Sequence, residues 1–201
     1  MKVQIRDARI SDSEHLVRCL DAMHDRMVEL DRWDRLQRTR DHGTLNLARL
    51  RRETRKNDGF ILVAEADGVP AAAAFAHLRT FSKEQRTEER PTKMGFLSDL
   101  SVLPNWRGRG IGTRLLREVE IRFRRVGCDH LALGVFVPNR GAQRLYRRVG
   151  FRPEGLFMVK RLGPSPERWP PAARASGGRG RGRAKPIRPT ARQRALRSRG
   201  R

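Results

Sequence analysis

The feature that most constrains the fold of this chain is the stretch NWRGRGIGTRLL, Asn105 to Leu116, which holds three glycines and three arginines. The residues before it, Gly95–Val102, have the pattern of a strand that Pro104 ends. The apolar residues after it, within Ile111–Val126, recur at helical spacing. A strand, a glycine-rich turn and a helix in this order predict a loop whose backbone amides face an anion at the helix N-terminus.

Three kinds of glycine loop hold phosphates, and the spacing in this chain distinguishes them. A P-loop requires G-x-x-x-x-G-K-[ST], which the sequence lacks. A dinucleotide fingerprint, G-x-G-x-x-G, needs a glycine where Thr113 stands, and the acidic residue about 20 positions further on, Asp129, precedes the next strand. The remaining pattern, R-x-x-G-x-G, matches Arg107 to Gly112 without a gap. It predicts a pyrophosphate site, in which the glycines permit close backbone approach and Arg107 and Arg109 add positive potential.

The rest of the chain, as far as Leu162, predicts helices and strands in mixed order. Asp67 and Gly68 indicate a turn between two β-rich runs, and Ser11 with Glu14 forms the capping-box pattern of a helix start. The predicted elements are a strand around Val3–Ile5, helices over Leu16–Leu30 and Leu45–Arg55, hairpin strands Phe60–Ala64 and Val69–Leu78, a loop over Arg79–Met94, the strand and helix that flank the glycine loop, a strand over His130–Val137, a helix from Asn139 to Gly150, and one or two final strands in Gly150–Leu162. This order indicates an α/β or α+β sheet with helices on both faces.

Positive charge is spread unevenly along the chain. The formal net charge is +23, and Gly163–Arg201 carries +11 of it, from 12 Lys and Arg against one Glu. This segment is rich in Pro, Gly and Arg and lacks apolar periodicity, so we predict a disordered tail, residues 163–201, attached to one domain spanning residues 1–162. Its charge predicts nonspecific binding to nucleic acid. Only two cysteines, no apolar leader and no run of membrane-spanning length predict a cytoplasmic protein without membrane contact.

Two motifs taken together resemble the GNAT superfamily of acyl-CoA-dependent N-acetyltransferases. The first is LSVLPNWRGRGIGTRLL, and the second is NRGAQRLYRRVGF, from Asn139 to Phe151. The resemblance covers about residues 2 to 162 and omits the tail. It implies the GNAT fold, with a mixed central sheet of six to seven strands, acetyl-CoA as the cofactor, and direct transfer of the acetyl group to a primary amine.

The resemblance also implies roles for particular positions. The strand before the loop would hold the pantetheine arm and the acetyl carbonyl, and the loop would cradle the pyrophosphate. Asn139 would lie near the pantetheine. Tyr146 would be the general acid that protonates the departing thiolate. From the residues alone, Asn139 also suits a helix N-cap, and Tyr146 suits a tyrosine packed against the sheet. The implied cofactor-binding residues are Leu100, Ser101, Val102, Arg107, Gly108, Arg109, Gly110, Ile111, Gly112, Thr113 and Asn139.

At the position where many members of the family carry the general base, this chain has no residue that could serve as one. Many relatives carry a glutamate on the fifth strand, and the corresponding residue of this chain is Gly134. Asp99, on the fourth strand, is the predicted substitute, and strand alternation places it on one face with Leu97 and Ser101. The alternatives are that Asp99 is a salt-bridged carboxylate or that water removes the proton. The five histidines lack metal-ligand spacing, so no metal is predicted.

Two classes of function fit these observations. The first is an N-acetyltransferase, a monomer or homodimer, whose acceptor is a small amine, a peptide amino terminus or a protein lysine. Met23–Lys56 and Arg79–Met94 would line its acceptor side. In the second of these segments, Glu84, Glu88 and Glu89 would attract a cationic amine. The second class is a catalytically silent acyl-CoA-binding module tethered to nucleic acid by its basic tail, which the missing glutamate on the fifth strand favours.

Overall fold

The computed structural model of the protein describes residues 1–81, 85 and 92–163. The predicted tail beyond Gly163 and most of the predicted loop over Arg79–Met94 therefore lie outside the described residues. The described residues form five strands and four α-helices: β1 (Val3–Asp7), α1 (Ser13–Leu30), α2 (His42–Lys56), β2 (Phe60–Ala66), β3 (Val69–Leu78), β4 (Met94–Val102), α3 (Ile111–Arg125), β5 (His130–Leu133) and α4 (Arg140–Arg148). Short 3-10 turns, Ile10–Asp12 and Pro104–Trp106, precede α1 and α3.

The strands form one mixed sheet in the order β1-β2-β3-β4-β5. Neighbouring strands from β1 to β4 are antiparallel, whereas β5 lies parallel to β4. A parallel pair needs a crossover connection, and α3 supplies it. The predicted mixed sheet is therefore confirmed.

The number of strands differs from the prediction of six to seven, because the described residues form five. β5 ends at Leu133, before the predicted Val137, and Gly150–Leu162 contains no strand. Two residues in this last segment oppose strand pairing. Pro153 has no N–H to donate to a ladder, and Gly155 has no side chain to pack against a neighbouring strand.

Apolar layers cover both faces of the sheet. β3 runs between them, and its segment Ala71–Ala76 is buried throughout. Its alanines are small enough for helices to approach the sheet closely from either side. On one face α3 packs with residues such as Leu115 and Val119, and on the other α1 and α2 pack with residues such as Leu16 and Leu50. This arrangement confirms the prediction of helices on both faces.

The start of α1 differs from the capping-box prediction, because Asp12 and not Ser11 is the N-cap residue. The Asp12 carboxylate accepts the backbone N–H of Arg9 at 2.6 Å. It also pairs with the guanidinium of Arg6 at 2.7 Å, and Arg6 contacts Glu65 at 2.6 Å. The hydrogen bond from Arg6 lowers the pKa of Asp12 to about 2, against the opposing effect of burial. This network joins β1 and β2 to the beginning of α1.

Candidate active site

The candidate site begins where β4 and β5 diverge. The two strands pair over Met94–Leu97 and His130–Leu133, and no described strand pairs with β4 on that side beyond Leu97. The other edge of β4 stays paired with β3. One edge of β4 therefore offers free backbone groups to an extended ligand. The predicted cofactor residues of this strand lie on that segment: Leu100, Ser101 and Val102.

A bulge at Ser98 decides which face of the sheet carries Asp99. Phe75 of β3 pairs with Asp99, and Ala76 pairs with Leu97, so Ser98 is the extra residue. An extra residue reverses the alternation of side chains. Leu97 therefore packs on the α3 side, whereas Asp99 lies with Phe75 on the side of α1 and α2. The prediction that Asp99 and Leu97 share a face is wrong for this reason.

The carboxylate of Asp99 is largely buried and makes no hydrogen bond or ion pair with any described residue. Burial raises the pKa of Asp99 to about 6, an effect that Arg49 opposes and Glu53 increases. These last two residues lie on α2 and pair with each other at 2.8 Å. A carboxylate with this pKa is ionised at pH 7.5 and is a stronger base than an exposed aspartate.

Tyr146 lies on the inward face of α4, with its ring edge-on to Phe151 and the two ring centroids 5.8 Å apart. Burial, followed by the negative charge of Asp99, raises the pKa of Tyr146 to about 12. The phenol is therefore protonated at neutral pH and able to donate a proton. Because Asp99 acts on the pKa of Tyr146, the fold brings the two predicted catalytic residues within electrostatic range of each other.

The glycine loop has the backbone that the phosphate prediction requires. Gly108 and Gly110 have φ values of +76° and +79°, in the left-handed region where a Cβ is strained. Gly110 is the N-cap of α3, and its carbonyl accepts the N–H of Arg114 at 3.1 Å. The amides from Gly108 to Thr113 have no partner in the described part of the chain. With the dipole of α3, these free donors form a site that favours an anion.

The third glycine of the motif, Gly112, serves close packing. A Cβ at this position would lie 3.3 Å from Cδ2 of Leu145 and 3.6 Å from Cγ2 of Val102. The first contact is tighter than ordinary side-chain packing allows without a shift. Gly112 therefore lets α4 and β4 approach the start of α3. The sequence analysis predicted only that this glycine lets the loop approach its ligand.

The two arginines of the loop have defined contacts. Nε of Arg107 donates to the carbonyl oxygen of Val102 at 2.9 Å, so this arginine ties the loop to the end of β4. The guanidinium of Arg109 lies 5.2 Å from the centroid of the Trp106 ring. Both contacts keep positive charge beside the free amides of the loop.

Two further positions from the sequence analysis, Gly134 and Asn139, follow β5 along the chain, after the point where β4 and β5 diverge. The side-chain oxygen of Asn139 accepts the N–H of Ala142 at 3.2 Å, so Asn139 is the N-cap of α4. Its contact with pantetheine stays a prediction. Gly134 directly follows β5, and a Cβ built there would meet no atom of the described residues within 4 Å. The position where relatives often carry a glutamate is thus open space.

Comparison with known families accounts for this arrangement. Residues 26–151, more than half of the chain, match the model of the acetyltransferase (GNAT) family. The chain belongs to the GNAT acetyltransferase family. An uncharacterized N-acetyltransferase of Methanocaldococcus jannaschii is 32% identical to this GNAT chain over 113 residues, which are 54% of the chain and 47% of that protein. The chain spans about half the length of the curated relatives it first matches.

Solved structures share the GNAT fold of the chain. A mutant of a Bacillus halodurans protein aligns with a TM-score of 0.70 and 24% identity, over 79% of this chain and 99% of that one. The aminoglycoside N-acetyltransferase AAC(6′)-Iy, solved in complex with CoA, aligns with a TM-score of 0.56 and 20% identity, over 81% and 96% of the two chains. These identities show the fold alone. Within residues 1–81, 85 and 92–163, the helices are too short or too polar to cross a bilayer.

Sequence reasoning missed the surroundings of Asp99. The spacing of Arg49 and Glu53, four residues apart on a helix, is a signal of pairing. Nothing local places the charges of that pair within electrostatic range of Asp99, because only the tertiary fold brings α2 near β4. The predicted acceptor glutamates Glu84, Glu88 and Glu89 lie outside the described residues.

Proposed function

We propose that this GNAT protein transfers the acetyl group of acetyl-CoA to a primary amine by direct attack, at the point where β4 and β5 diverge. One observation carries the proposal. A partly buried carboxylate of raised pKa, Asp99, lies beside the free edge of β4, and its charge raises the pKa of a partly buried phenol, Tyr146. The next element along the chain is a loop of free amides that suits a pyrophosphate.

The residues present fit acetyl-CoA at both ends of its extended shape. The amides of Gly108 to Thr113, with Arg109 beside them, would bind the pyrophosphate. The free edge of β4, over Leu100 to Val102, would pair with the amide groups of the pantetheine arm as an added strand does. Bound acetyl-CoA would supply the thioester that the amine attacks.

Asp99 and Tyr146 would each carry out one proton transfer of the reaction. An acceptor amine arrives largely as an ammonium ion, and ionised Asp99 would remove one proton from it, so that its lone pair is free to attack. As the new N–C bond forms and the C–S bond breaks, Tyr146 would donate its proton to the departing sulfur. The second proton lost from nitrogen leaves to solvent. Asp99 then releases its proton to solvent, and the phenol of Tyr146 regains one from solvent. The products are an amide and free coenzyme A.

We place the acceptor on the α1–α2 side of the sheet, because Asp99 lies on that side. The carboxylate of Asp99, near that of Glu53, favours a cationic amine over a neutral one. A small amine, a peptide amino terminus and a protein lysine all meet this condition. A panel holding one of each class would identify the acceptor.

Tyr146→Phe tests the proposal, since it keeps the ring and removes the proton. We expect kcat to fall about 100-fold, while the dissociation constant of coenzyme A, measured by calorimetry, stays unchanged. Turnover equal to that of the unaltered protein would contradict the role of Tyr146. If the unaltered protein binds coenzyme A but acetylates no amine of the panel, the chain is instead a silent acyl-CoA-binding module.

We also propose that the basic segment Gly163–Arg201 binds nucleic acid through its +11 charge. Removing it is expected to leave coenzyme A affinity unchanged and to weaken salt-sensitive retention on DNA or RNA. A deletion variant that unfolds would contradict the proposed boundary at residue 162. Retention that is unchanged by the deletion would contradict the role of the segment.

A further inference from the structure

The outward side of α4 is a continuous basic surface. We call it the α4 arginine face, and it consists of Arg140, Arg144, Arg147 and Arg148, all of them exposed. The inward side of the same helix is apolar, with Leu145, Tyr146 and the adjoining Val149 packed on the core. From Asn139 to Arg152 the chain holds five arginines and neither aspartate nor glutamate.

Within residues 1–81, 85 and 92–163, these arginines have no acidic partner, whereas several other arginines do. Among the described residues, every ion pair between side chains involves an arginine outside α4: Arg6, Arg26, Arg38, Arg49 or Arg122. Within the α4 arginine face, Arg147 contacts Gln143 at 3.1 Å. The guanidinium groups of Arg140, Arg144 and Arg148 make no hydrogen bond to any described residue. No described residue therefore compensates the charge of this face.

We infer that the α4 arginine face binds the phosphate backbone of duplex DNA without reading its sequence. Arg140, Arg144 and Arg148 follow one another at one-turn spacing, so they extend over about 12 Å of helix. Duplex DNA carries one negative charge per about 1.7 Å of its axis, so a stretch of that length offers several phosphates. The guanidinium fork matches phosphate oxygens in pairs.

Features of α4 favour duplex DNA over other polyanions. A helix that binds a membrane surface turns an apolar face to the lipid, and the apolar face of α4 is already packed on the core. Single-stranded nucleic acid is held by aromatic side chains that stack on bases, and the α4 arginine face has no aromatic residue. The major groove of DNA, about 12 Å wide, admits a helix, whereas the deep and narrow major groove of duplex RNA does not.

This inference does not depend on the proposed acetyl transfer. Tyr146 and the arginines lie on opposite sides of α4, so the two functions would use different surfaces of one helix. The DNA surface also differs from the basic tail, since it belongs to the folded domain. A chain with both would hold DNA at two points and gain affinity from their linkage.

The test compares two triple variants of the full chain that each remove three positive charges. The first is Arg140→Gln, Arg144→Gln and Arg148→Gln. The matched control on α2 is Arg52→Gln, Arg55→Gln and Lys56→Gln, whose side chains are also exposed. The dissociation constant of a short labelled DNA duplex is measured by fluorescence anisotropy over a range of salt concentrations. Circular dichroism of each variant verifies that it is folded.

We expect the α4 variant to bind duplex DNA at least about tenfold more weakly than the unaltered chain. The slope of log affinity against log salt should become shallower by about 2 to 3, since each lost phosphate contact removes about 0.9. The α2 control should change both quantities much less. Equal losses in the two variants, or none in the α4 variant, would overturn the inference. Stronger α4-dependent binding to phosphatidylserine vesicles, single-stranded RNA or duplex RNA than to duplex DNA would also overturn it.

Discussion

Replacing Asp99 by Asn tests two separate claims: that the ionised carboxylate lowers the stability of the fold, and that it serves as the base in acetyl transfer. The folded-state pKa of Asp99, about 6, lies above the ordinary 3.8. Its contribution to stability is therefore fully present below pH 3.8 and is lost as the pH rises through 6. At about 1.4 kcal/mol for each tenfold change in proton affinity, this rise corresponds to about 3 kcal/mol of stability lost at high pH.

Asparagine has nearly the shape of aspartate but does not ionise. At pH 4, Asp99 is already ionised in many of the unfolded molecules, so part of the loss of folding stability is present at that pH. We therefore expect the free energy of unfolding of Asp99→Asn, relative to the unaltered protein, to increase by about 2 kcal/mol between pH 4 and pH 7.5. Urea unfolding followed by circular dichroism at the two pH values measures this change. The rate of acetyl transfer by the same variant should fall about 100-fold.

Asp129→Asn is the matched control, because Asp129 is exposed. Its effect on unfolding should be the same at both pH values. If Asp99→Asn shows no pH-dependent gain, the carboxylate is not destabilised by burial, and the argument from its pKa is wrong. If the variant gains stability but keeps its rate of acetyl transfer, Asp99 is not the base.

Three further experiments test separate parts of the structure. Gly134→Glu should change the free energy of unfolding by less than about 0.5 kcal/mol, because its side chain enters open space. Added to Asp99→Asn, it should raise the rate of acetyl transfer about tenfold. No gain in that rate would show that a carboxylate at position 134 does not reach the amine. Gly110→Ala and Gly127→Ala, at φ of +79° and +77°, should each destabilise the protein by about 1 kcal/mol. Calorimetry should show weaker coenzyme A binding for Gly110→Ala alone, and equal weakening in both would contradict a loop that binds the cofactor. Asp12→Asn should lower the free energy of unfolding by about 2 kcal/mol at pH 7. The reason is that the folded-state pKa of Asp12, about 2, gives stability above pH 3.8 that is lost as the pH falls through 2. Urea unfolding that shows the same loss of stability at pH 3 and pH 7 would argue against the ion pair.

Local sequence patterns were sufficient to predict the strand, glycine loop and helix that form the candidate anion site. The features that predict it are Pro104, the glycines with positive φ and the apolar stripe of α3. Each of them affects only the backbone of residues close to it in the chain, so their spacing predicts the local structure. Tyr146 and Asp99 were also identified from the sequence, one by its motif and the other by the strand it occupies. These predictions rest on short-range geometry.

Short-range patterns failed where a residue's environment comes from distant parts of the chain. The bulge at Ser98 leaves no mark in the alternation of β4, because it is defined by pairing with β3. The final strands were predicted from apolar residues, but Pro153 interrupts the run and no described strand pairs with it.

The sequence by itself therefore determined the family, the backbone of the glycine loop and the identity of the two candidate catalytic side chains. The tertiary structure alone decided that Asp99 lies on the α1–α2 side of the sheet and that its charge acts on Tyr146. It also decided that both groups are buried enough for their pKa values to rise to about 6 and about 12. The physical reason is that desolvation and charge interactions depend on every neighbour in space, and the neighbours of Asp99 come from strands and helices far apart in the chain.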